Sequence, residues 1–439
     1  MSKAGGQARK FLFHSAENIS ALLFGLVGAA MLARVFGPEN LGRLSLVQAA
    51  SGIFVAFATL GLDYFIIRDF ALNRKDGELK GSILFAQSLG WVLYLCSLAI
   101  FFYARGEFFD EIYLFSSVAV STYFMRVLFF KLYLQAINDA YGLAVSAVVS
   151  RIVALLFLVV GTVLHFSYDL MVFYLPLQAI VQAAMMFYGY RRACPEPEKM
   201  HVSGKRVRSL MTEAMPVLFS SILYFGYSQA DILVLSHFMS VKEVGIYSAA
   251  MRLVPQAVFL GHVTVLTFYG LLSDKFQADK ASFFQYAVKV ARIQFAIAFV
   301  MAAATALCAP LLITLLYGSK FEGSAGVLAI GVWVWLFALP ACLFSRLLVL
   351  ARLARYELIK VLIVAPLSLG LNIFLIPRFG FIAAACVAVG SSFLTDFFIY
   401  GLFKDTRFIF QVAITAVRTL LISPVVSLRE SRELFQHKS

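Results

Sequence analysis

The sequence predicts an all-α polytopic membrane protein of about twelve transmembrane helices arranged as two six-helix lobes. Three observations predict it. Hydrophobic residues make up 61% of the chain and charged residues only 14%, with a mean hydropathy of +0.86. A soluble domain carries about 25% charged residues, so a chain this apolar needs lipid as its main solvent. Apolar runs long enough to span a bilayer recur along the whole length, and basic residues collect in alternate loops between them.

A membrane helix needs about 20 residues at 1.5 Å rise to cross a hydrocarbon core of about 30 Å. The runs that qualify are residues 11–34, 42–67, 82–104, 112–134, 140–164, 169–190, 210–237, 243–273, 290–317, 323–346, 358–377 and 381–403. The third, ninth and tenth are the cleanest. The fourth is interrupted by Arg126 and Lys131. Arg9 and Lys10 before the first run resemble the start of a secretory signal. The apolar run continues through 19–33 and more follow, so it reads as a retained first helix.

Charge orients the chain. With the N-terminus inside, the outer loops hold only Arg34, Arg43, Arg105, Lys242, Arg252, Lys320 and Arg378 of the 37 Lys and Arg. Arg151 falls mid-membrane and the rest lie inside, as the positive-inside rule requires. Both termini are therefore expected in the cytoplasm. The same distribution argues against nucleic-acid binding despite the net charge of +13, because the positive charge is dispersed over short loops. The outer loops are tips with no room for a catalytic module.

Residues 191–208, RRACPEPEKMHVSGKRVR, divide the chain. Six Lys or Arg keep this stretch out of lipid, and Pro195 and Pro197 stop helix from running through it. The expected organisation is an N-terminal lobe (1–190), a basic cytoplasmic linker (191–208), a C-terminal lobe (209–404) and a tail (405–439). In the tail, 408–428 lies in the interface or partly inserts. A short internal repeat supports duplication. Residues 34–45, RVFGPENLGRLS, align with 237–248, HFMSVKEVGIYS, at an offset of 203, pairing Gly42 with Gly245 and Ser45 with Ser248. Six helices per lobe give both lobes one orientation, a parallel repeat.

Cys96, Cys194, Cys308, Cys342 and Cys386 show no paired spacing of the zinc or redox kind, and no cofactor or metal is expected. There is no GK[ST] phosphate loop, HExxH or DxD, so the chain reads as a non-enzyme.

ARVFGPENLGRLSLVQA (33–49), GLDYFIIRDFA (61–71) and QADILVLSHFMSVKEVGIYSAAMRL (229–253) resemble the Wzx-type polysaccharide (O-antigen) flippases of the multidrug/oligosaccharidyl-lipid/polysaccharide exporter superfamily. His237 and Met239 depart from the smaller, glycine-rich turn usual there. The resemblance implies two lobes around a central cavity open alternately to each side, in a bacterial cytoplasmic membrane. It implies a polyprenyl-diphosphate-linked oligosaccharide as substrate, for O-antigen, capsule or exopolysaccharide, beside polymerase and chain-length machinery. The alternative is a cation-coupled drug or metabolite antiporter of the same superfamily.

Carrying a diphosphate through a low-dielectric layer calls for cations in a water-accessible cavity. An intramembrane Arg costs about 2.5–3.5 kcal/mol even on the lower scales, which suggests a use or a partner. Arg151, Arg252 and Arg126 are the substrate-binding candidates. Arg126 either faces the cavity or snorkels with Lys131, and Arg252 either binds substrate, snorkels outward or pairs with an acid such as Asp231. Ser220, Tyr224, Tyr227 or Ser228, and Asp231 recur at helical spacing on the seventh span. That stripe forms a cavity wall, with tyrosines to stack on sugars, or a packing seam. Asp231, Glu17 and Asp63 are the coupling candidates, binding H+ or Na+, or else neutralising the arginines. Asp396 reads as structural. Pro255 and Pro310 can permit bending.

Overall fold

Each apolar run is helical in the computed structural model, which describes residues 3–73, 76–195 and 198–422, with side chains at Ser20 and from Phe24 onward. Helix α1 (Lys3–Thr59) joins the first two spans and breaks at Gly37, where φ 79° and ψ −176° admit glycine far more readily than any L side chain. Pro38 follows at once, where its missing N–H costs the new helix nothing. The run ends in α2 (Asp63–Leu72). Helix α3 (Gly77–Ala104) is the third span. The fourth is broken as its two cations foretold, into α4 (Ile112–Thr122), a π turn (Tyr123–Val127) and α5 (Phe130–Ala136). Helices α6 (Ala140–Val163), α7 (Tyr168–Met171) and α8 (Tyr174–Ala193) make the fifth and sixth.

The seventh span is a pair, α9 (Gly204–Ser228) and α10 (Ala230–Phe238), bent by 49°. Then come α11 (Val241–Met251) with α12 (Val258–Ala278), and α13 (Lys280–Leu307) with α14 (Ala309–Tyr317). The tenth span is α15 (Ser324–Gly331) and α16 (Trp335–Leu350). Helix α17 (Arg355–Phe393) holds the last two spans, divided at Gly380 (φ 68°), and a π turn (Leu394–Phe398) leads to α18 (Ile399–Leu402). Among the described residues nine runs are long and apolar enough to span a membrane, or ten with the bent pair. Two of them divide at Gly37 and Gly380, which gives the twelve spans expected. The chain is an all-α, multi-pass membrane protein.

Several acids at the helix starts are caps. Asp76 accepts from Leu79 N–H at 2.8 Å, Asp139 from Gly142 at 2.9 Å and Asp279 from Ser282 at 2.8 Å. Each satisfies an N–H that would otherwise be orphaned at a helix start.

The chain divides into two compact units, residues 1–233 and 234–439. In unit 1, α9 packs on α1 and α3. The basic stretch before it is tied to the start of α3: Gly77 N–H donates to Glu198 Oε2 at 3.0 Å, His201 N–H to Gly77 C=O at 3.3 Å, and Ser203 N–H to Ser82 Oγ at 3.2 Å. A Cβ on Gly81 would stand 2.4 Å from the His201 carbonyl, so only glycine allows this approach. Residues 196 and 197 of the linker lie outside the described residues. In unit 2, α19 (Arg407–Ile422) buries Ile409, Val412, Ala413 and Ala416 and packs on α13, leaving Arg418 exposed. Residues 423–439 of the tail lie outside the described residues.

The repeat read from sequence has a structural counterpart. Residues 41–48 and 244–251 follow one burial pattern, position by position, with only 43, 48, 246 and 251 half-buried.

Candidate functional site

Ionisable side chains within the spans of unit 1 come from helices that their apolar neighbours fix in register. Arg151, in the middle of α6, is half-buried, and its guanidinium donates to Ser20 Oγ of α1 at 2.5 Å. Asp63 opens α2, half-buried, where the charges of Arg126 and Lys131 act on it. Arg126 sits in the π turn of the fourth span and is exposed. The extra residue of a π turn rotates the side chains that follow it, and such turns recur at functional sites. Thus Arg126 and Lys131 act on Asp63 through their charge, while Arg151 bonds Ser20 across α6 and α1.

The stripe on the seventh span is interrupted. Ser220, Tyr224 and Ser228 are exposed along α9, with Tyr227 half-buried, but the helix ends at Ser228. Asp231 lies past the bend in the first turn of α10, where its Oδ1 accepts from Ile232 N–H at 2.9 Å. Arg252 closes α11 in unit 2, half-buried, its carbonyl accepting from Gln256 Nε2 at 3.0 Å. The side chain of Glu17 lies outside the described residues.

Unit 2 holds a cavity of about 300 Å³ that includes none of these residues. His262 of α12, Cys342, Ser345 and Arg346 of α16, Glu357 and Lys360 of α17, and Asp396 of the last span line it. Lys360 is its centre. The ammonium, almost fully buried, donates to Glu357 Oε2 at 2.8 Å and to the Tyr400 hydroxyl at 3.2 Å, and lies 3.7 Å from Asp396 Oδ1. It also sits over the Tyr400 ring, 5.5 Å from the centroid. Glu357 and Lys360 share one helix face at i,i+3. Asp396 lies in the second π turn, with Tyr400 one turn on. Both π turns in the described residues therefore present an intramembrane charge.

Asp396, read from sequence as structural, is a wall of this cavity. Sequence reasoning passed over Lys360, Glu357 and Arg346 because each falls near the end of an apolar run, where flank charges are the rule, and it passed over His262 inside the eighth run. The available signal was the Glu–Lys i,i+3 pair opening the eleventh span, followed by an acid near the close of the twelfth.

The sequence matches the polysaccharide biosynthesis protein family over residues 8–267. Among solved structures, the chain is similar to lipid II flippase MurJ in an inward closed conformation, with a TM-score of 0.69 at 15% identity, covering 95% of this chain and 93% of that one. It is also similar to a point mutant of the Vibrio cholerae MATE transporter VcmN, with a TM-score of 0.52 at 12% identity over 94% and 95% of the two chains. A eukaryotic MATE transporter, AtDTX14, gives 0.53 at 10% identity over 93% and 99%. At these identities the likeness is one of fold. No curated protein sequence matches the chain.

Proposed function

The chain belongs to the polysaccharide biosynthesis protein family, and we propose on that premise that it is a flippase. It moves a polyprenyl-diphosphate-linked oligosaccharide across the bacterial cytoplasmic membrane by alternating access between two six-helix lobes joined by the basic linker. Both termini lie in the cytoplasm and the product feeds O-antigen, capsule or exopolysaccharide assembly, beside a polymerase and chain-length machinery. The single observation that carries this reading is the family match over more than half the chain. A fold similar to that of a lipid II flippase agrees with it.

The diphosphate is the part of such a substrate that lipid tolerates least. Arg151, Arg126 and Arg252 would stabilise it by charge-assisted hydrogen bonds, with Tyr224 and Tyr227 against the sugars. Asp231, Asp63 and Glu17 would bind H+ or Na+ to couple the step. The protein itself catalyses no covalent chemistry.

The test is complementation of a bacterium lacking its own O-antigen flippase, with wild type, Arg151→Ala and Arg151→Lys. Surface polysaccharide restored by wild type, lost in Arg151→Ala at equal membrane abundance and partly kept in Arg151→Lys, is the expected result. Drug resistance without surface polysaccharide would overturn it in favour of the cation-coupled antiporter.

A further inference from the structure

The cavity of unit 2 exists because one stripe of α16 lacks bulk. Ala338, Ala341, Cys342, Ser345, Arg346 and Val349 recur at i, i+3, i+4, i+7, i+8 and i+11, and all line it. The other face of the helix carries Leu343, Phe344 and Leu347, which fill the core. Small side chains on one wall leave about 300 Å³ open between α12, α16, α17 and the last span. At about 30 Å³ per water, such a space holds about ten waters, or one monosaccharide ring with its hydroxyls. Small-molecule sites begin at a similar size, about 300 Å³.

The polar groups of the lining divide into two sets. Lys360 is engaged with Glu357, Asp396 and Tyr400. Arg346, Ser345 and His262 make no hydrogen bond and no ion pair among the described residues. Arg346 and His262 are exposed, and Arg346 is near enough to act on His262 and Cys342 by its charge. The formal charges of Arg346 and Lys360 cancel those of Glu357 and Asp396, so the lining is neutral as a whole. An anion would bring an uncompensated charge beside two carboxylates, and a cation would meet Arg346 at the mouth. A neutral ligand rich in hydroxyls meets neither cost. Its oxygens accept from the guanidinium, its O–H groups donate to the imidazole or the Ser345 hydroxyl, and its C–H face lies on Ala338, Ala341 and Val349.

We propose that this cavity binds one uncharged sugar unit, held by Arg346, His262 and Ser345. Its role as the subsite that tells one glycan cargo from another rests on the flippase reading, whereas the binding chemistry does not. In the orientation proposed above, Arg346 closes the tenth span and Lys360 opens the eleventh, so the cavity lies toward the cytoplasmic side, where cargo is loaded.

The experiment is saturation-transfer difference NMR on the purified full-length protein in lipid nanodiscs, read against empty nanodiscs. The probes are the methyl glycosides of glucose, galactose, mannose and N-acetylglucosamine, with glucuronate and glucosamine as charged counterparts and inorganic phosphate as competitor. At least one neutral glycoside should give a signal that phosphate does not displace, with glucuronate and glucosamine bound about tenfold more weakly or worse. Arg346→Ala should weaken glycoside binding by about tenfold or more, the loss expected for hydrogen bonds from a charged donor. Ala341→Leu should abolish it by filling the cavity while removing no polar group. Both variants should melt near wild type, since Arg346 has no protein partner to strand and Ala341 faces open space. Arg346→Lys keeps the charge without the guanidinium fork and should recover part of the binding. No signal from any neutral glycoside overturns the proposal, as does a signal unchanged in both Arg346→Ala and Ala341→Leu. So does displacement by phosphate, which would make this an anion site. The complementation assay reads the role separately. Glycoside binding by a protein that restores no polysaccharide leaves this site standing and counts against the flippase reading alone. Polysaccharide restored equally by wild type and Ala341→Leu removes the cargo role of this site alone.

Discussion

Among the described residues each unit buries one lysine near the start of a span, and the two are treated in opposite ways. Lys80, in the first turn of α3, has no exposed surface. Its ammonium lies over the rings of Tyr133 and Tyr190, 5.8 and 5.5 Å from their centroids, and 3.8 Å from Cys194 Sγ. Lys360 also sits over a tyrosine, but two carboxylates flank it. Among the described residues Lys80 meets none within ion-pair distance. An aromatic cage stabilises a cation by about 0.5–2 kcal/mol per ring and leaves nothing stranded when the cation goes. An ion cluster binds more strongly and strands its acids. The same residue type therefore sits in an aromatic cage in one unit and in an ion cluster in the other.

The sharpest way to break this comparison is to replace both lysines by methionine. Lys360→Met takes the shared ammonium away from Glu357 and from the more deeply buried Asp396, and removing one partner of a buried pair costs about 3–5 kcal/mol. Lys80→Met exchanges a caged ammonium for an apolar chain of similar length, with an expected change within about 1 kcal/mol. Unfolding midpoints in detergent, measured at matched pH, should show a large fall for the first and almost none for the second. Equal losses would mean that Lys80 has an acidic partner too. Adding Glu357→Gln to Lys360→Met should recover part of the loss, since one of the two stranded charges disappears.

The second test asks whether unit 1 has an acid-rich cluster of its own. Glu111, in the loop before α4, has Arg43 at 3.5 Å and a side chain only 12% exposed. Burial, with Glu107, Asp110 and Asp169 nearby, pushes its carboxyl up to about 7 against the opposing charge of Arg43. The folded state then holds this proton more tightly than the unfolded chain, whose carboxyl titrates near 4.5. Stability is accordingly highest below about pH 4.5 and falls as pH rises through 7. At about 1.4 kcal/mol per pH unit the loss is at most about 3.5 kcal/mol. Glu111→Gln should flatten that slope and raise the unfolding midpoint at about pH 8, as a pH series of melting curves would show.

The twelve spans were legible because in lipid a continuous apolar run can satisfy its backbone within itself only as a helix, and a run of about twenty such residues can hardly be misread. The breaks were legible in part. Arg126 and Lys131 announced the interrupted fourth span, whereas nothing in GYSQAD foretold that α9 would stop at Ser228 and separate Tyr224 from Asp231. The unit 2 cavity was hidden for a different reason. Glu357, Lys360 and Asp396 lie on two spans whose pairing no periodicity encodes, and each alone looks like a flank charge. Sequence shows which residues are costly in a membrane. Which of them meet is a property of the packing.

The smallest effects test the repeat itself. Residues 41–48 and 244–251 share their burial pattern, and each region is anchored by a hydroxyl reaching a backbone carbonyl: Tyr168 to Asn40 at 2.7 Å and Ser324 to Ile246 at 2.6 Å. The turns leading in are built differently. The first uses Gly37 at positive φ. The second uses a serine capping box, in which Ser240 and Glu243 each accept the other's N–H. Gly37→Ala should therefore cost about 1–3 kcal/mol through backbone strain, and Ser240→Ala about 1 kcal/mol through a lost cap. Ser240→Gly should cost only a few tenths, since glycine tolerates the cap position. Melting curves of the three variants separate the two devices, and a Gly37→Ala protein as stable as wild type would show that the first turn relaxes to ordinary helix geometry without glycine.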